Sequence, residues 1–323
     1  MDLKLFEFNG LWRTSLNGDL SNHIKISDAI LVIYYYMITD EKILAQRGLN
    51  NLRNLLYKYP NRPPAIFNGN LEPIKTVGLL TGDDINIQND LLGQVIWLYS
   101  KAFLYKYQLG KKWDTIVEKI LFILSEDQYW DQKDYGMWGD VLDIHTSSIG
   151  ICLSGLTEFN SVRGDNHLEI LIKRGMDALS KNKVFGETSD KLYDSSLLNL
   201  IWPFRILPND IAYHFLDMYF DTHKGNCGMI RFTNDPYYRQ DGVDAEWPQF
   251  LFQLLLSVHS LGLWNQYESY SGWKAIKTVI DMEYPECLFG IKKLKTLNSP
   301  YLMTVLMYLF SQYLLSKNLV EAH

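Results

Sequence analysis

Hydrophobic positions along the chain recur with the spacing of α-helices, and few segments alternate as strands do. One group of segments is apolar on nearly all sides, which predicts helices that are buried all round. These inner helices are expected at Asp28–Ile38, Asp90–Tyr105, Ser147–Leu156, Ser195–Trp202, Phe250–Leu263 and Tyr301–Leu315. A second group has one charged face, which predicts helices on the outside of the fold. These outer helices are expected at Glu41–Tyr57, Trp113–Leu124, His167–Ser180, Asp210–Phe220 and Tyr267–Met282.

The two groups alternate along the chain, and this order predicts an all-α fold. The inner helices recur about every 45–60 residues, a period typical of arrays of helical hairpins. A ring of inner helices, each backed by an outer helix, is an (α/α)6 toroid. Six inner but only five outer helices are clear, so either the sixth outer helix is missing or residues Leu3–Leu16 take its place. No linker rich in Pro, Gly or Ser divides the sequence, and we expect one domain over residues 1–323.

Composition and charge narrow the classes of function. The net charge is −6 and no dense Lys/Arg cluster occurs, which argues against nucleic-acid binding. The longest apolar runs fall short of the about 18 residues of a membrane span, and the first residues lack the apolar core of a signal peptide. The three cysteines are far apart and show no metal-binding spacing, so we expect no disulfide, no metal and a reducing, cytoplasmic compartment. No cofactor-binding motif is present, and no cofactor is expected.

Two loops combine aromatic and acidic residues ahead of inner helices. The first runs from Trp130 to Asp140, and the second runs from Asp241 to Trp247. Aromatic rings stack on the apolar face of a pyranose, and carboxylates accept hydrogen bonds from its hydroxyls. The aromatic content of 14% is open to two explanations, a large core with amphipathic rims or a carbohydrate-binding cleft.

Acidic residues precede or open the predicted inner helices. In a toroid these helices are parallel, so their N-termini meet at one mouth. The acidic positions are Asp28, Asp90, Asp134, Asp140, Asp194, Asp244, Glu246, Glu283 and Glu286. Each can also be explained as a helix cap, because carboxylates bind free N–H groups and favour the positive end of the helix dipole. That explanation is weaker for Asp134, Asp140 and Glu246, which lie among Trp, Tyr and Gly. His145, the only histidine near this mouth, could bind a sugar hydroxyl or have a capping or packing role.

Short motifs at this mouth resemble glycoside hydrolase family 15, which includes glucoamylases and the glucoamylase-like domain of the phosphorylase kinase regulatory subunits. The similar segments are Asn89–Gly93, Asp134–Trp138, His145–Gly150, Asp194–Leu198, Arg231-Phe232 and Glu246–Pro248. The last two resemble the kinase-subunit version in particular. The family has an (α/α)6 barrel and hydrolyses α-linked glucosides with inversion. The resemblance therefore implies this fold and a carbohydrate substrate.

The resemblance also implies roles for individual residues. An inverting enzyme has a carboxylic acid that protonates the leaving oxygen and a carboxylate base, about 6.5–9.5 Å away, that deprotonates water. Glu286 corresponds to the base, with Glu283 as the second candidate. The family's general-acid glutamate is replaced by Gly139, and Asp140 follows as the candidate acid. The residues implied in sugar binding are Asp28, Asp134, Trp138, Asp194, Arg231, Glu246 and Trp247. The arginine that precedes the first of these in the family is Ser27 in this chain.

Three hypotheses follow. In the first, the chain is a metal-independent glycoside hydrolase acting on an α-glucoside or related oligosaccharide, with Asp140 as acid and Glu286 as base. In the second, hydrolysis is lost and the fold binds a carbohydrate or a protein partner, because a shift of one residue turns a side chain in another direction. In the third, the chain is an unrelated helical toroid whose acidic loops are only caps.

Overall fold

The helices of the computed structural model follow the predicted alternation. The structure describes all residues except 60–61, 75, 78–79, 82–86, 140, 182–185 and 322–323. In chain order, the described α-helices are α1 (Ile26–Ile38), α2 (Lys42–Leu56), α3 (Asn89–Leu104), α4 (Lys111–Glu126), α5 (Thr146–Arg163), α6 (His167–Lys181), α7 (Asn209–His223), α8 (Pro248–Ser260), α9 (Trp264–Tyr267), α10 (Ala275–Asp281) and α11 (Leu302–Glu321). Short 3₁₀ helices include Leu3–Phe6, Ser195–Leu200 and Ser271–Lys274.

The inner elements form a closed ring. Helix α1 contacts α3, α3 contacts α5, and α5 contacts the 3₁₀ helix at Ser195–Leu200; that helix contacts α8, α8 contacts α11, and α11 returns to α1. At one end of α3 and α5, Asp134 accepts a hydrogen bond from the Asn89 backbone N–H at 2.7 Å. At their other end, Lys101 of α3 and Glu158 of α5 form an ion pair at 2.7 Å. Helices α3 and α5 therefore run in the same direction, and their N-termini meet at one end, called the mouth below. Helix α8 begins at the same end, since the ring of Phe250 in its first turn lies 5.4 Å from that of Trp138 in the loop before α5. The predicted all-α toroid is confirmed.

Outer helices cover the inner ring with their apolar faces. Helix α2 packs on α1, α4 on α3, and α6 on α5. The face of α4 that turns inward carries Trp113, Ile116 and Ile120, all buried, while its Lys and Glu residues remain exposed. This division is what an amphipathic helical period produces on a surface helix. None of the helices in the described part of the chain combines the length and apolar character that a membrane span requires.

Two predicted helices differ from expectation. The fourth inner element is a 3₁₀ helix, Ser195–Leu200, rather than an α-helix to Trp202. Pro203 follows it and has no N–H to continue a helix. The fifth outer helix is divided into α9, the 3₁₀ turn Ser271–Lys274 and α10. The Ser271-Gly272 pair lies at this interruption. Serine and especially glycine have low helix propensity, which disfavours a continuous helix here.

The first residues of the chain occupy the place of a sixth outer helix. The 3₁₀ helix Leu3–Phe6 contacts α11, and both of its terminal side chains are buried. A hairpin of β1 (Glu7–Phe8) and β2 (Leu11–Trp12) follows, and β2 packs on α1 and α2. Of the two alternatives for the sixth outer position, the structure supports the one in which residues Leu3–Leu16 take its place.

Short antiparallel strands lie between the helices. They are β3 (His23–Lys25) with β4 (Ile66–Asn68), β5 (Thr76–Val77) with β6 (Leu80–Thr81), and a four-stranded sheet in the order β10 (Leu294–Lys295), β9 (Leu288–Phe289), β8 (Glu246–Trp247), β7 (Met229–Ile230). In that sheet Glu246 pairs with Ile230 on one side and with Leu288 on the other. Since β8 leads directly into α8, the four-stranded sheet lies at the mouth.

Aromatic side chains fill the interior of the ring below the mouth. The Trp97 ring centroid lies 4.7 Å from that of Tyr34 and 5.1 Å from that of Phe204. The Phe310 centroid lies 4.8 Å from that of Trp202 and 5.9 Å from that of Tyr34. These five rings, here called the aromatic plug, come from α1, α3, the chain after Ser195–Leu200, and α11. Three of these four contacts are edge-to-face, and the contact between Tyr34 and Phe310 is tilted.

Candidate functional site

Glu286 is a buried carboxylate just ahead of β9. The amide nitrogen of Asn298 donates to its Oε2 at 2.8 Å, and the Glu286 backbone N–H donates to the Asn298 carbonyl at 3.1 Å. Burial raises the pKa of Glu286, while the Asn298 hydrogen bond and the charges of Lys25 and Arg231 act in the opposite direction. Asn298 thus binds both the backbone and the carboxylate of Glu286, which fixes the direction of the carboxylate, as a general base or a sugar ligand requires.

Asp28 belongs to the same part of the mouth as Glu286. Burial raises the pKa of Asp28 to about 6, and the charge of Lys25 opposes the shift. Burial raises the pKa of Tyr301, and the charges of Asp28 and Glu286 raise it further. Lys25 and Tyr301 thus each interact with both carboxyl groups, so the two carboxyls share one neighbourhood although they are far apart in sequence.

The two ends of the chain are joined beside these carboxyls. The Leu302 N–H donates to the Thr14 carbonyl at 2.8 Å, and the Leu16 N–H donates to the Pro300 carbonyl at 3.2 Å. Asn298, which holds Glu286, also accepts from the Leu20 N–H at 3.2 Å. The position of Glu286 therefore depends on residues from both ends of the chain.

Arg231 lies among aromatic rings and is paired with Asp235. Its Nε and Nη2 donate to the two carboxylate oxygens of Asp235 at 2.8 and 2.7 Å. Its guanidinium carbon lies 5.0 Å from the ring centroid of Trp138, 5.4 Å from that of Trp247 and 5.7 Å from that of Tyr237. Both partners of the ion pair are buried, at 9% and 1% side-chain exposure. Such a paired cation orders three rings that belong to different loops.

Asp194 is bound to one of these rings. Its Oδ1 accepts from the Trp138 indole N–H at 2.7 Å and from the Ser196 backbone N–H at 2.8 Å. The second bond caps the 3₁₀ helix, so the cap explanation holds for this residue. Burial and the charge of Glu187 raise the pKa of Asp194, and Arg231 opposes them. Its Oδ2 is buried without a hydrogen-bond partner among the described residues.

Asp134 belongs to a second acidic group beside Asp194. Burial raises its pKa to about 6 and that of Asp90 to about 7. Glu187 accepts from the Ser147 N–H at 2.9 Å and from its hydroxyl at 2.5 Å, and therefore caps α5. His145 Nδ1 lies 3.1 Å from the same carboxylate. Glu187 links this group to Asp194, whose pKa its charge raises.

Glu246 and Trp247 point to opposite sides of β8, because successive side chains alternate along a strand. Trp247 stacks on Tyr237 with centroids 5.7 Å apart and contacts Arg231. Glu246 instead pairs with Lys293 at 2.7 Å and accepts from the Cys227 N–H at 2.6 Å. Of the predicted sugar ligands, Glu246 is thus engaged away from the rings around Arg231.

The remaining predicted residues concern the acid and the second base candidate. Asp140 lies outside the described residues. Gly139 precedes it with φ of +66°, a left-handed conformation that favours glycine. Glu283 is exposed and pairs with Lys295 at 3.1 Å, so it faces solvent where Glu286 faces inward.

Comparison with known proteins adds to this geometry. The sequence matches no protein-family model and no curated protein. Among solved structures, a glycosidase variant in complex with glucose is similar with a TM-score of 0.73 and 15% identity, over 95% of this chain and 92% of that one. A bacterial glucoamylase complexed with acarbose is similar with a TM-score of 0.70 and 14% identity, over 94% of this chain and 52% of that one. A cellobiose 2-epimerase from Bacillus thermoamylovorans is similar with a TM-score of 0.59 and 12% identity, over 96% of this chain and 94% of that one.

The fold is a glucoamylase-like (α/α)6 toroid. Identities this low show the fold and not the activity. The sequence resemblance to glycoside hydrolase family 15 agrees with this fold.

Several residues at the mouth of this glucoamylase-like toroid were not predicted from the sequence: Lys25, Glu187, Asp235, Asn298 and Tyr301. Glu187 is an acidic residue ahead of the fourth inner element, and that position was the signal that could have found it. Lys25 is the N-cap residue of α1, where the helix dipole favours negative charge, so no such signal pointed to it. Asn298 and Tyr301 gave no such signal, because their role depends on the contact between the chain ends. Among the described residues, no group of three or more His, Cys, Asp or Glu side chains is placed to hold a metal ion.

Proposed function

We propose that the chain is a glycoside hydrolase-like protein that acts on an α-glucoside or related oligosaccharide by an inverting two-carboxylate mechanism. The observation that carries the proposal is Glu286: a buried carboxylate, oriented by Asn298, that shares its surroundings with Asp28, Tyr301 and Arg231. The whole chain, residues 1–323, would form one catalytic domain.

The bound sugars of the neighbouring structures support a carbohydrate ligand at the mouth. One glycosidase neighbour is complexed with glucose, and the bacterial glucoamylase is complexed with acarbose. In this chain, Trp138, Trp247 and Tyr237 would supply rings for stacking on a pyranose. Asp28 and Asp194 each have a buried carboxylate oxygen without a partner in the described structure, and these oxygens would accept sugar hydroxyls.

In the proposed reaction, Glu286 takes a proton from water while the water oxygen attacks the anomeric carbon. The bond to the leaving oxygen breaks, and that oxygen receives a proton from the acid, for which Asp140 is the candidate. The base must be ionised, and the nearby charges of Lys25 and Arg231 favour the ionised form of Glu286. Asp134 and Arg231 would act indirectly, since each is hydrogen-bonded within the protein.

One observation favours a second candidate function, a catalytically inactive domain that binds carbohydrate or a protein partner. The residue after Trp138 is Gly139, where a general-acid glutamate would be expected from the family resemblance. Without an acid, only leaving groups that need no proton would depart, while the rings and carboxyls would still bind a sugar.

Glu286→Gln tests the hydrolytic proposal. We expect it to reduce release of glucose from maltose and maltotriose by about 100-fold or more, because a general base contributes about 10²–10⁴ in rate. Binding of acarbose, measured by calorimetry, should persist because the amide keeps the shape and the Asn298 contact.

The matched control is Glu283→Gln, which removes the exposed carboxylate of the second base candidate and should leave turnover unchanged. Equal losses in both variants would contradict the assignment of Glu286. Acarbose binding by a wild-type protein that releases no sugar would support the inactive candidate. Absence of both would leave the acidic loops as helix caps and end the carbohydrate proposal.

A further inference from the structure

A turn near the start of the chain packs on the asparagine that holds the base candidate. The Leu20 N–H donates to Oδ1 of Asn298 at 3.2 Å. Two residues beyond the other side of Gly18's neighbourhood are also tied down, since the Asn17 side-chain amide donates to the Ser299 carbonyl at 2.6 Å. The stretch Asn17–Leu20 is here called the Gly18 turn, and it is bonded at both of its ends to residues next to one another in sequence.

Gly18 has a conformation and a position that exclude a side chain. Its φ is +75° and its ψ is −167°, a region of backbone conformation that is essentially restricted to glycine. A Cβ added at Gly18 would collide with Oδ1 of Asn298 and would lie 2.8 Å from the carbonyl carbon of Leu297. The turn therefore packs directly on the Asn298 amide and limits where this amide can lie.

The two ends of the Asn298 amide have different partners, and this fixes its orientation. Because Oδ1 accepts from the Leu20 N–H, Nδ2 is the end that faces Glu286, and an amide nitrogen only donates. It binds Oε2 of Glu286 at 2.8 Å. Oε1 of Glu286 has no hydrogen-bond donor among the residues that the structure describes, so it is the oxygen left to accept a proton.

A donor on Oε2 favours the ionised form of Glu286. Burial raises the pKa of Glu286, and the Asn298 hydrogen bond is the largest effect that opposes burial. The charges of Lys25 in β3 and Arg231 after β7 act in the same direction as Asn298, while Asp19 in the Gly18 turn acts against them. The remaining titratable groups that interact with Glu286 have raised pKa values and are neutral in acidic and neutral solution: Tyr237, Tyr238, Cys287 and Tyr301.

We infer that Asn298 is a positioning residue, which the Gly18 turn holds with its donor on Oε2 of Glu286, so that Oε1 is the oxygen that takes the proton from water. The inference rests on the proposed function, because it assumes that Glu286 is the base. The Gly18 turn acts on catalysis through Asn298 and does not itself bind the substrate.

Asn298→Ala removes the donor and introduces no new atoms. We expect kcat for maltotriose to fall about 10-fold or more while KM stays within about 2-fold, the effect of losing one hydrogen bond to a charged group. Since this hydrogen bond lowers the pKa of Glu286, its loss should move the acidic limb of kcat/KM to higher pH by about one unit. A loss of packing alone would not move this limb.

Gly18→Ala should have the same effects from outside the site, because the new Cβ displaces the Asn298 amide. Gly10→Ala is the matched control. Gly10 also has a positive φ, +82°, and its added Cβ would lie 2.5 Å from Nδ2 of another asparagine, Asn51 of α2. This control should lower the thermal midpoint to a similar extent but leave kcat and the acidic limb unchanged.

Carbon NMR of protein labelled with ¹³C-glutamate follows the ionisation of Glu286 without a substrate. The carboxyl signal that is absent in Glu286→Gln should titrate at higher pH in Asn298→Ala and Gly18→Ala than in the wild type or in Gly10→Ala.

An unchanged titration and an unchanged acidic limb in Asn298→Ala would overturn the inference, and so would equal losses of kcat in Gly18→Ala and Gly10→Ala. If Gly18→Ala does not fold, Asn298→Ala decides. If the wild type releases no sugar, the proposed hydrolysis fails, while the NMR titrations still decide whether Asn298 controls Glu286.

Discussion

Arg231 shows how a single buried cation can organise a site made of loops. Its fork to Asp235 neutralises the charge, and the guanidinium then lies against Trp138, Trp247 and Tyr237. An unpaired guanidinium at this depth would be strongly unfavourable, since a buried charge requires a partner. The ion pair therefore allows a cation to serve as packing surface for three rings.

Asp235→Asn should destabilise the fold by about 3 kcal/mol, because it leaves the buried guanidinium without a countercharge. Urea denaturation followed by circular dichroism measures the change in the free energy of unfolding. Asp221→Asn is the control, since Asp221 pairs with Lys224 on the surface at 3.8 Å. Its effect should stay below about 0.5 kcal/mol. Similar small losses in both variants would show that the Arg231 fork does not stabilise the mouth.

Among the elements, the closest contact joins α3 and α5. A Cβ at Gly93 would lie 2.6 Å from the backbone Cα and N of Cys152, and a Cβ at Gly155 would lie 2.4 Å from the Gly93 carbonyl oxygen. The two helices thus meet backbone to backbone, which only glycine permits. This close approach also brings the starts of α3 and α5, with Asp90 and Asp134, to one place at the mouth.

Gly93→Ala tests this contact. Helix propensity alone would make the substitution stabilising by about 1 kcal/mol. We expect the opposite sign, a loss of about 2 kcal/mol, because overpacking against backbone cannot be relieved by a side-chain movement. In Gly48→Ala the new Cβ would meet side-chain atoms of Ile33 and Trp12, at 2.7 and 3.0 Å, so the thermal midpoint should fall less. A rise in midpoint for Gly93→Ala would contradict the geometry.

Most helices could be predicted from the sequence because each has a long, regular apolar period. Helix α3, expected at Asp90–Tyr105, is found at Asn89–Leu104. The period was insufficient where local residues interrupt it, as at Pro203 and at Ser271-Gly272. The second aromatic loop was expected to run to Trp247, but Glu246 and Trp247 form strand β8. Alternation along this strand turns Glu246 towards Lys293 and Trp247 towards Arg231.

For the site, the sequence predicted which residue types occur and at which end of the barrel they lie. It did not predict which side chains are hydrogen-bonded to one another. Asp194 was expected to bind sugar, yet part of its role in the structure is to cap a helix and hold Trp138. Glu187 was not predicted, because its contacts to Ser147 and His145 join segments 40 and 42 residues apart. Such long-range pairs leave no local pattern in one sequence. The assignment of the catalytic and sugar-binding residues stays a prediction.

At the scale of the whole molecule, the mouth concentrates buried charge. Burial raises the pKa of Asp28 to about 6, that of Asp90 to about 7 and that of Asp134 to about 6. A carboxyl group whose pKa is higher in the folded than in the unfolded protein stabilises the fold fully at pH values below its unfolded pKa. This contribution is lost as the pH rises through the folded pKa. His145 acts with the same sign up to about pH 9. Burial lowers the pKa of His223 to about 4, so this residue acts in the opposite direction, but mainly below pH 6.5.

The free energy of unfolding should therefore fall between pH 6 and pH 8, by about 2 kcal/mol if Asp90 and His145 dominate. Denaturant titrations at several pH values measure it. Asp90→Asn should flatten the part of the slope between pH 6 and 7, because an amide does not titrate. A stability that is level or rises over this interval in the wild type would show that these carboxyls do not have the raised pKa values given above.

The closure of the ring between α11 and α1 has a consequence for synthesis of the protein. The last inner helix to leave the ribosome must pack against the first, and the strand-like contacts of Ser15 with Tyr301 and of Leu302 with Thr14 form only then. Before α11 packs on α1, Asn298 cannot accept the hydrogen bond from the Leu20 N–H. Asp28 and Glu286 also cannot yet share Lys25 and Tyr301 as neighbours. Pairing across nearly the full length of a chain is a slow step. A nascent chain would thus expose apolar inner helices for most of translation, and the mouth would be completed last.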